Sequence, residues 1–189
     1  MVYILLAEGF EELEALAPVD ILRRGGVEVR TVGMTGKTVM GSHGIPVIAD
    51  ILPEEVADDM EMLVFPGGLP GSDHLHASPE SDRLIAIAKS KGAHIAAICA
   101  APYLLGLRGL LEGKRATSYP DEKFRSRLLG ATVSDDRVVT DGLITTGAGM
   151  GAAQEFGLRL LALLRGEAAA EKIAKGALIM GAEDAISCP

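Results

Sequence analysis

The chain lacks several features that mark large classes of proteins. Its 189 residues include only two cysteines, Cys99 and Cys188, which is too few for a disulfide framework and fits a reducing compartment. No run of about 18 apolar residues occurs, so we expect no membrane span. The N-terminus has no basic leader and reaches Glu8 within one strand length, which argues against a signal peptide. These absences predict a cytoplasmic protein with no membrane partner.

Basic residues are also in deficit. The chain has 18 Lys and Arg against 26 Asp and Glu, a net charge of −8. Because binding to a phosphate backbone needs a basic face, we expect no nucleic-acid partner. The composition, 48% apolar and 23% charged, is typical of a globular protein. We expect a single domain over residues 1–180 and a C-terminal tail over residues 181–189, in which Cys188 lies.

Short apolar runs alternate with segments of helical periodicity, which predicts an α/β fold with a mostly parallel sheet. In the first helix, the spacing of Leu13, Leu16, Ala17, Asp20 and Ile21 predicts one face. The predicted helices are 11–24, 79–91, the segment after Cys99, the segment after Gly151, and 167–180. The predicted strands are 3–7, 27–32, 47–49, 62–65, 95–98, 115–118 and 138–146, the last with a turn at Asp141-Gly142.

The segment Ala96-Ala97-Ile98-Cys99-Ala100-Ala101-Pro102 predicts a nucleophile elbow at Cys99. Small residues on both sides of the sulfur permit a sharp strand-to-helix turn that exposes the side chain. A helix N-terminus next to a thiol lowers its pKa, so we expect Cys99 to be ionised at neutral pH. The alternative is an inert, buried thiol, as most free cysteines are.

Two further loops are predicted at the same edge of the sheet. They are Glu8-Gly9-Phe10-Glu11 and Pro66-Gly67-Gly68-Leu69-Pro70-Gly71, each directly after a buried strand. The backbone N–H groups of Gly68 and Ala100 could together bind a developing oxyanion. An ordinary turn after the strand is the alternative reading of the two glycines.

Four acidic residues cluster around the start of the first helix: Glu8, Glu11, Glu12 and Glu14. Acids in a first helical turn stabilise the helix dipole, so most of them need no other role. Glu14 is the exception, because it lies near the apolar face and could point toward Cys99. Burial near other carboxylates raises the pKa of a carboxyl group, so a protonated Glu14 could donate a hydrogen bond to the Cys99 thiolate and exchange protons with a substrate.

Together these segments resemble the ThiJ/PfpI superfamily, in the branch of the parkinsonism-associated deglycase and its small bacterial relatives. The resemblance runs from Tyr3 to about Met180. It implies a flavodoxin-like three-layer sandwich, a homodimer, and no cofactor or metal. It also implies Cys99 as the elbow thiolate, Glu14 as its protonated partner, and Gly68 and Ala100 as backbone donors. The segments that carry it are Gly9-Phe10-Glu11-Glu12-Leu13-Glu14, Pro18-Val19-Asp20, Leu22-Arg23-Arg24-Gly25-Gly26, Pro66-Gly67-Gly68 and Ala96-Ala97-Ile98-Cys99-Ala100-Ala101-Pro102.

The chain departs from the family pattern at three positions. Tyr119 stands where many members have a histidine, so a Cys-His dyad gives way to Cys99 and Glu14. The Tyr119 phenol could donate a hydrogen bond as an auxiliary group, but it is a poor base at neutral pH. Ala148 replaces an arginine that many members carry, and His43 lies where a basic residue often reaches across the dimer.

The leading hypothesis is an enzyme that converts 2-oxoaldehydes such as methylglyoxal to 2-hydroxy acids, independently of glutathione. Cys99 would attack the carbonyl and Glu14 would move the proton between carbons; the same chemistry on sugar-modified groups would be deglycation. A redox-sensing stress protein or chaperone with an oxidisable Cys99 is the second hypothesis. A peptidase or amidase is the third, weakened because no histidine stands ready to protonate a leaving amine.

Two other motifs are weaker. Gly33-Met34-Thr35-Gly36-Lys37-Thr38 resembles a phosphate-binding loop, but the full pattern needs glycine where Thr31 stands, and no helix is predicted to follow. His74 and His76, in a predicted loop, lack further ligands at metal-site spacing and are expected to be surface histidines.

Overall fold

A six-stranded sheet forms the centre of the computed structural model, which describes residues 1–179, 181 and 186. Its strand order is β2-β1-β5-β6-β10-β9, and every neighbouring pair is parallel except the antiparallel β10 and β9. The other four strands form two small ladders, an antiparallel β3–β4 hairpin and a parallel β7–β8 pair. The strands are β1 (Val2–Leu6), β2 (Val29–Gly33), β3 (Thr38–Met40), β4 (Pro46–Ile48), β5 (Met62–Phe65), β6 (His94–Ile98), β7 (Arg115–Ala116), β8 (Thr132–Val133), β9 (Val138–Asp141) and β10 (Ile144–Gly147).

Helices cover both faces of this sheet. The helices are α1 (Glu12–Arg24), α2 (Gly71–Ala77), α3 (Pro79–Lys91), α4 (Pro102–Gly106), α5 (Glu122–Arg125), α6 (Ala153–Arg165) and α7 (Glu167–Gly176), with 3-10 turns at Pro53–Glu55 and Met150–Ala152. None of the described helices combines the length and apolar character needed to cross a bilayer.

The alternation of side chains along β1 divides the core into two layers. Every residue of β1 is buried, and successive side chains point to opposite faces of the sheet. Ile4 belongs to the cluster that packs α1 and α6 on one face, and Leu5 to the cluster that packs α3 and α4 on the other. The result is three layers, helix–sheet–helix, which confirms the predicted flavodoxin-like sandwich.

Several predicted elements are confirmed. The helix over residues 79–91 and the strand over residues 62–65 have the predicted bounds, and the hairpin at Asp141-Gly142 forms the antiparallel β9–β10 pair. The last predicted helix ends at Gly176; Met180 and Cys188 lie outside the described residues.

Other predictions are wrong. Leu13 is 53% exposed and Leu16 and Ala17 are only partly buried, because α1 packs on the sheet through Ala15, Val19 and their neighbours. The segment expected over residues 115–118 does not join the central sheet but pairs with β8. His74 and His76 lie on helix α2, not in a loop.

Candidate active site

Cys99 sits at a strained turn between β6 and α4. Its φ of 65° lies in the left-handed region, which is rare for a residue other than glycine. Its N–H donates to the Gly147 carbonyl at 2.8 Å, and its own carbonyl accepts from the Tyr119 N–H, also at 2.8 Å. Backbone strain persists where the surroundings hold it in place and is concentrated at functional sites. The predicted elbow is therefore present in the backbone.

The loops after β1, β5 and β6 meet at Gly67. Its carbonyl accepts from the Glu11 N–H at 2.9 Å, which ties the loop after β5 to the start of α1. A Cβ atom at Gly67 would lie 2.4 Å from Glu14 Oε2 and 2.6 Å from Cys99 Cβ. The Glu14 and Cys99 side chains thus converge on the same glycine.

The N–H groups of Gly68 and Ala100 are directed at the Cys99 sulfur. Both lower the pKa of the thiol, which is the effect of donors that stabilise a negative charge there. Gly68 has φ +90°, and a Cβ at this residue would lie 2.3 Å from the Glu11 nitrogen, so the loop can approach α1 this closely only with glycine. Among the described residues, neither N–H donates to another backbone carbonyl. That these two N–H groups bind a developing oxyanion stays a prediction.

The Glu14 carboxyl is fully buried. Within the described part of the chain, neither of its oxygens makes a hydrogen bond of standard geometry. Burial raises its pKa to about 7, and the charge of Glu11 adds to this, while the nearby Cys99 thiol and Gly67 N–H oppose it. An unpaired buried polar group costs about 1–3 kcal/mol, so Glu14 is an unfavourable residue for stability alone.

The expectation that the following helix lowers the pKa of Cys99 is wrong. Burial of the thiol and the neighbouring Glu14 carboxylate raise that pKa, and together they outweigh the N–H groups of Ala100 and Gly68. Helix α4 is only five residues long, so its dipole is small. Glu14, with a pKa of about 7, is the more acidic of the two groups, because the pKa of Cys99 is raised above its ordinary value. Glu14 is therefore positioned to accept the thiol proton.

A second carboxylate, Glu12, was missed as a site residue by the sequence reasoning. It is buried under the tip of the β3–β4 hairpin, where it accepts from the His43 N–H at 2.8 Å and from His43 Nδ1 at 2.9 Å. Burial alone would raise the pKa of Glu12, but these hydrogen bonds hold it below the usual range. The hydrogen bond to Glu12 raises the pKa of His43 in turn. Glu12 and His43 meet in the structure but are 31 positions apart in the sequence, so no local pattern indicates the pair.

Glu11, Glu12 and His43 have ligand atoms within 4.8 Å of one another, the geometry that a metal site would need. These atoms already hydrogen-bond to one another and to the backbone; one Glu11 oxygen, for example, accepts from the Glu14 N–H at 2.7 Å. We therefore describe this group as an ion pair beside a helix cap.

Tyr119 lies at the rim of the site. Its ring is about half exposed and packs edge-to-face on Phe124, with centroids 6.2 Å apart. It also lies beside Gly149, in the loop that follows β10. In this loop Ala148 donates its N–H to the Arg137 carbonyl at 2.8 Å, and the Arg137 guanidinium binds Glu155 and the Gly151 carbonyl. The rim is thus fixed by Arg137 rather than by an arginine at position 148.

Among the described residues, none of the four histidines forms a hydrogen bond with Cys99. His43 binds Glu12, His74 binds the Glu8 carbonyl, and His76 contacts Arg108. His94 is half-buried at the start of β6, the opposite end of that strand from Cys99. No Cys-His dyad is formed by these residues.

The segment 33–38 runs from the end of β2 to the start of β3, without the helix that a phosphate-binding loop requires. Its Lys37 ammonium donates to the Asp50 carbonyl at 2.6 Å. This excludes the phosphate-loop reading of the segment.

Comparisons with known proteins agree with the fold. The family model of the DJ-1/PfpI family matches residues 1–163. The Drosophila melanogaster protein dj-1beta is 38% identical over 178 residues, covering 93% of this chain and 95% of that protein. A deglycase of Pyrococcus abyssi is 37% identical over 149 residues, covering 75% of this chain and 85% of that protein. The solved structure of oxidised Toxoplasma gondii DJ-1 has a TM-score of 0.86 and 34% identity, covering 95% of this chain and 98% of that one.

Proposed function

The chain belongs to the DJ-1/PfpI family, and we propose that it converts small 2-oxoaldehydes such as methylglyoxal to 2-hydroxy acids, with Cys99 as the nucleophile. One observation carries the proposal: a buried carboxyl group without a standard hydrogen-bond partner, Glu14, converges with a half-buried thiol at a strained elbow. A carboxyl group with a pKa of about 7 is suited to general acid–base chemistry at neutral pH.

The first step forms a carbon–sulfur bond. The Cys99 sulfur attacks the aldehyde carbon as its proton passes to the Glu14 carboxylate. The carbonyl oxygen becomes an oxyanion, which accepts hydrogen bonds from the N–H groups of Gly68 and Ala100. Return of the proton from Glu14 to this oxygen gives a neutral hemithioacetal.

The second step moves a proton between carbons. The Glu14 carboxylate removes the proton from the former aldehyde carbon, and an enediolate forms. Glu14 then delivers this proton to the neighbouring carbon, while the hydroxyl proton of the first carbon moves to the oxygen of the second, which leaves a 2-hydroxyacyl thioester on Cys99. Water hydrolyses the thioester to the 2-hydroxy acid and the free thiol, so the balance is one oxoaldehyde and one water to one hydroxy acid.

The test is lactate formation from methylglyoxal by the parent protein and by Cys99→Ser. We expect steady lactate release from the parent without glutathione, and a loss of at least about a hundredfold in Cys99→Ser, because an alcohol is a much weaker nucleophile. Equal rates for the two proteins, or no lactate from the parent, would contradict the proposal.

The same nucleophile could act on carbonyl adducts of amines and thiols. The name of the Pyrococcus abyssi relative, a deglycase, supports this extension. We include it in the proposal as a choice of substrate at one site, since attack by Cys99 and proton transfer by Glu14 serve both reactions. Release of free amine from a methylglyoxal–amine adduct, compared at equal concentrations with lactate formation from free methylglyoxal, measures the preference.

A redox-responsive stress protein is the second candidate function. The solved Toxoplasma gondii relative is described as oxidised, and the N–H groups of Gly68 and Ala100 that face the Cys99 sulfur could equally bind a sulfinate. Oxidation by peroxide would add two oxygen atoms to the thiolate. Intact-mass analysis after mild peroxide tests this: two added oxygens confined to Cys99, with no turnover of any 2-oxoaldehyde, would favour sensing over catalysis.

Dimerisation, which the family resemblance implies, is part of the proposal. The exposed apolar residues Leu13 on α1 and Ile45 and Ile48 on the β3–β4 hairpin support it, since such side chains are commonly covered by a partner. Sedimentation equilibrium should give twice the chain mass of 19.7 kDa, and a single-chain mass would contradict this part of the proposal.

A further inference from the structure

The tip of the β3–β4 hairpin contacts the first turn of α1 at the buried Glu12 side chain. The Glu12 carboxylate receives the N–H of His43 on Oε1 and the imidazole of His43 on Oε2, at 2.8 and 2.9 Å. The Ser42 hydroxyl lies 3.3 Å from Oε2. Glu12 is only 5% exposed, whereas the His43 side chain is 70% exposed, so the carboxylate is buried while water reaches the imidazole.

The hairpin is itself fixed to the loop after β1. The Gly9 N–H donates to the Met40 carbonyl and the Ser42 N–H to the Phe10 carbonyl, both at 2.8 Å. The Gly9 carbonyl accepts from the Gly71 N–H at 3.2 Å, which connects this loop to the one that carries Gly68. The hairpin therefore gives Glu12 a fixed anchor rather than a mobile one.

The first turn of α1 has other anchors too. Leu13 is exposed in the single chain and adds no apolar packing within it, whereas Ala15, at the end of this turn, is buried in the core. The Glu11 side chain caps the helix by accepting from the Glu14 N–H, and the Glu11 N–H donates to Gly67. Glu12 lies between Glu11 and the catalytic candidate Glu14, on the same turn.

We propose that Glu12 is a positioning residue: by binding the tip of the β3–β4 hairpin, it fixes the first turn of α1 and so holds the Glu14 carboxyl against Cys99. The inference rests on the proposed function in taking Cys99 and Glu14 as the reacting pair. The charged groups that face the Glu12–His43 pair are Glu11, from the helix cap, and Glu8, which accepts from the Met40 N–H at 3.1 Å.

The test compares Glu12→Ala with Glu12→Gln, which keeps an acceptor oxygen for the His43 N–H. Asp20→Ala is the matched control, because it removes an acid from the same helix and breaks an exposed ion pair with Arg24. The readout is the rate of Cys99 alkylation by iodoacetamide over a range of pH, followed on the Cys99 peptide by mass spectrometry. This readout does not depend on any substrate.

We expect alkylation of Glu12→Ala to be about tenfold faster than in the parent at neutral pH, with the pH midpoint about one unit lower, because displacing the Glu14 carboxylate removes a charge that raises the pKa of the Cys99 thiol. Glu12→Gln should stay close to the parental rate, and Asp20→Ala should match it. If Glu12 had only a structural role, Glu12→Ala would melt at lower temperature but keep the parental rate and midpoint, and this result would overturn the proposal.

If Glu12→Ala does not fold, His43→Ala decides the question. It removes the imidazole but leaves the backbone hydrogen bond, so we expect a smaller change in the same direction, alkylation about threefold faster than in the parent, in line with the loss of one hydrogen bond. A parental rate and midpoint in His43→Ala would overturn the proposal. Failure of the parent to form lactate would count against the proposed function alone, since the alkylation comparison does not use that reaction.

Discussion

The two sides of the first turn of α1 carry buried glutamates with opposite properties. Glu12 faces the hairpin, and hydrogen bonds from His43 hold its pKa below the usual range in spite of burial. Glu14 faces Cys99 without a standard hydrogen-bond partner among the described residues, and burial raises its pKa to about 7. Although the two residues are only two positions apart, the Glu12 carboxylate is held as an anion, whereas the Glu14 carboxyl can exchange a proton.

Burial therefore does not distinguish a structural carboxylate from a catalytic one; the hydrogen-bond partners do. A buried anion with a cation and an N–H donor is stable as it stands. A buried carboxyl group that lacks them is costly to ionise and is ready to take a proton from a neighbouring acid. The thiol of Cys99 is that neighbour.

The largest expected effect comes from replacing the proton-exchanging member of this comparison. Glu14→Gln should lower kcat/KM for lactate formation by about 10²–10⁴-fold, because general acid–base catalysis contributes that much. The parent rate should rise with pH through about 7, as Glu14 ionises, and the variant should lack this rise. Lactate assays from pH 5 to 9 measure both.

Glu12→Gln is the internal comparison, because it makes the same chemical change two residues away. We expect it to retain the rise of the parent rate with pH and most of the rate. A Glu14→Gln variant as active as the parent would remove the catalytic role of Glu14.

A smaller effect is expected where the Glu14 and Cys99 side chains meet. Gly67→Ala places a methyl group 2.4 Å from Glu14 Oε2 and 2.6 Å from Cys99 Cβ, so one of the two must move. A displacement of about 1 Å in a reacting group costs on the order of a hundredfold in rate. We expect a loss of that size in kcat with KM little changed.

Gly149→Ala is the matched control at the rim. Its Cβ would meet only the Tyr119 ring, at an ordinary contact distance of 3.5 Å. It should keep the parental kcat. If both alanine variants were equally active, the Glu14 and Cys99 side chains would not need the close approach that Gly67 permits.

Stability should depend on pH in opposite senses for the two glutamates. The pKa of Glu14 is raised, so its contribution is fully present below the unfolded value of 4.5 and is lost as pH rises through about 7. Glu14→Gln should therefore be more stable than the parent at pH 8, by up to about 3 kcal/mol, and similar at pH 4.

The pKa of Glu12 is lowered, so its contribution is present above 4.5 and is lost as pH falls through the folded value. Glu12→Gln should be less stable than the parent at pH 7, with the difference shrinking in acid. Urea unfolding at pH 4, 6 and 8 measures the free energy of unfolding of the parent and both variants. If the differences of the two variants from the parent changed with pH in the same way, the two carboxyl groups would not differ as described.

The sequence predicted one of these glutamates and not the other. The order of strands and helices, the elbow at Cys99 and the meeting of three loops follow from local patterns, because parallel strands deliver their carboxyl ends to one edge. Glu14 was identifiable from its proximity to an apolar face. Glu12 was not, since its partner His43 is on a hairpin whose first strand, β3, has no strong apolar pattern.

Tertiary effects account for the other errors. The pKa of Cys99 was expected to fall because the helix after it was visible in the sequence, whereas its burial beside a carboxylate was not. The buried face of α1 was misassigned because Leu13 and Leu16 fit a helical stripe as well as Ala15 and Val19 do.

The smallest expected effect concerns a third candidate proton donor, the Tyr119 hydroxyl. Its ring is 47% exposed at the rim, while its backbone N–H already holds the Cys99 carbonyl. Tyr119→Phe keeps this backbone bond and the ring packing on Phe124, and removes only the hydroxyl. If the hydroxyl donates one hydrogen bond to bound substrate, kcat/KM for lactate formation should fall about fivefold, the value of one neutral hydrogen bond. An unchanged kcat/KM would leave Cys99 and Glu14 as the acting pair and make Tyr119 a structural residue, whereas a loss as large as that of Glu14→Gln would place the exchanging proton on the phenol instead.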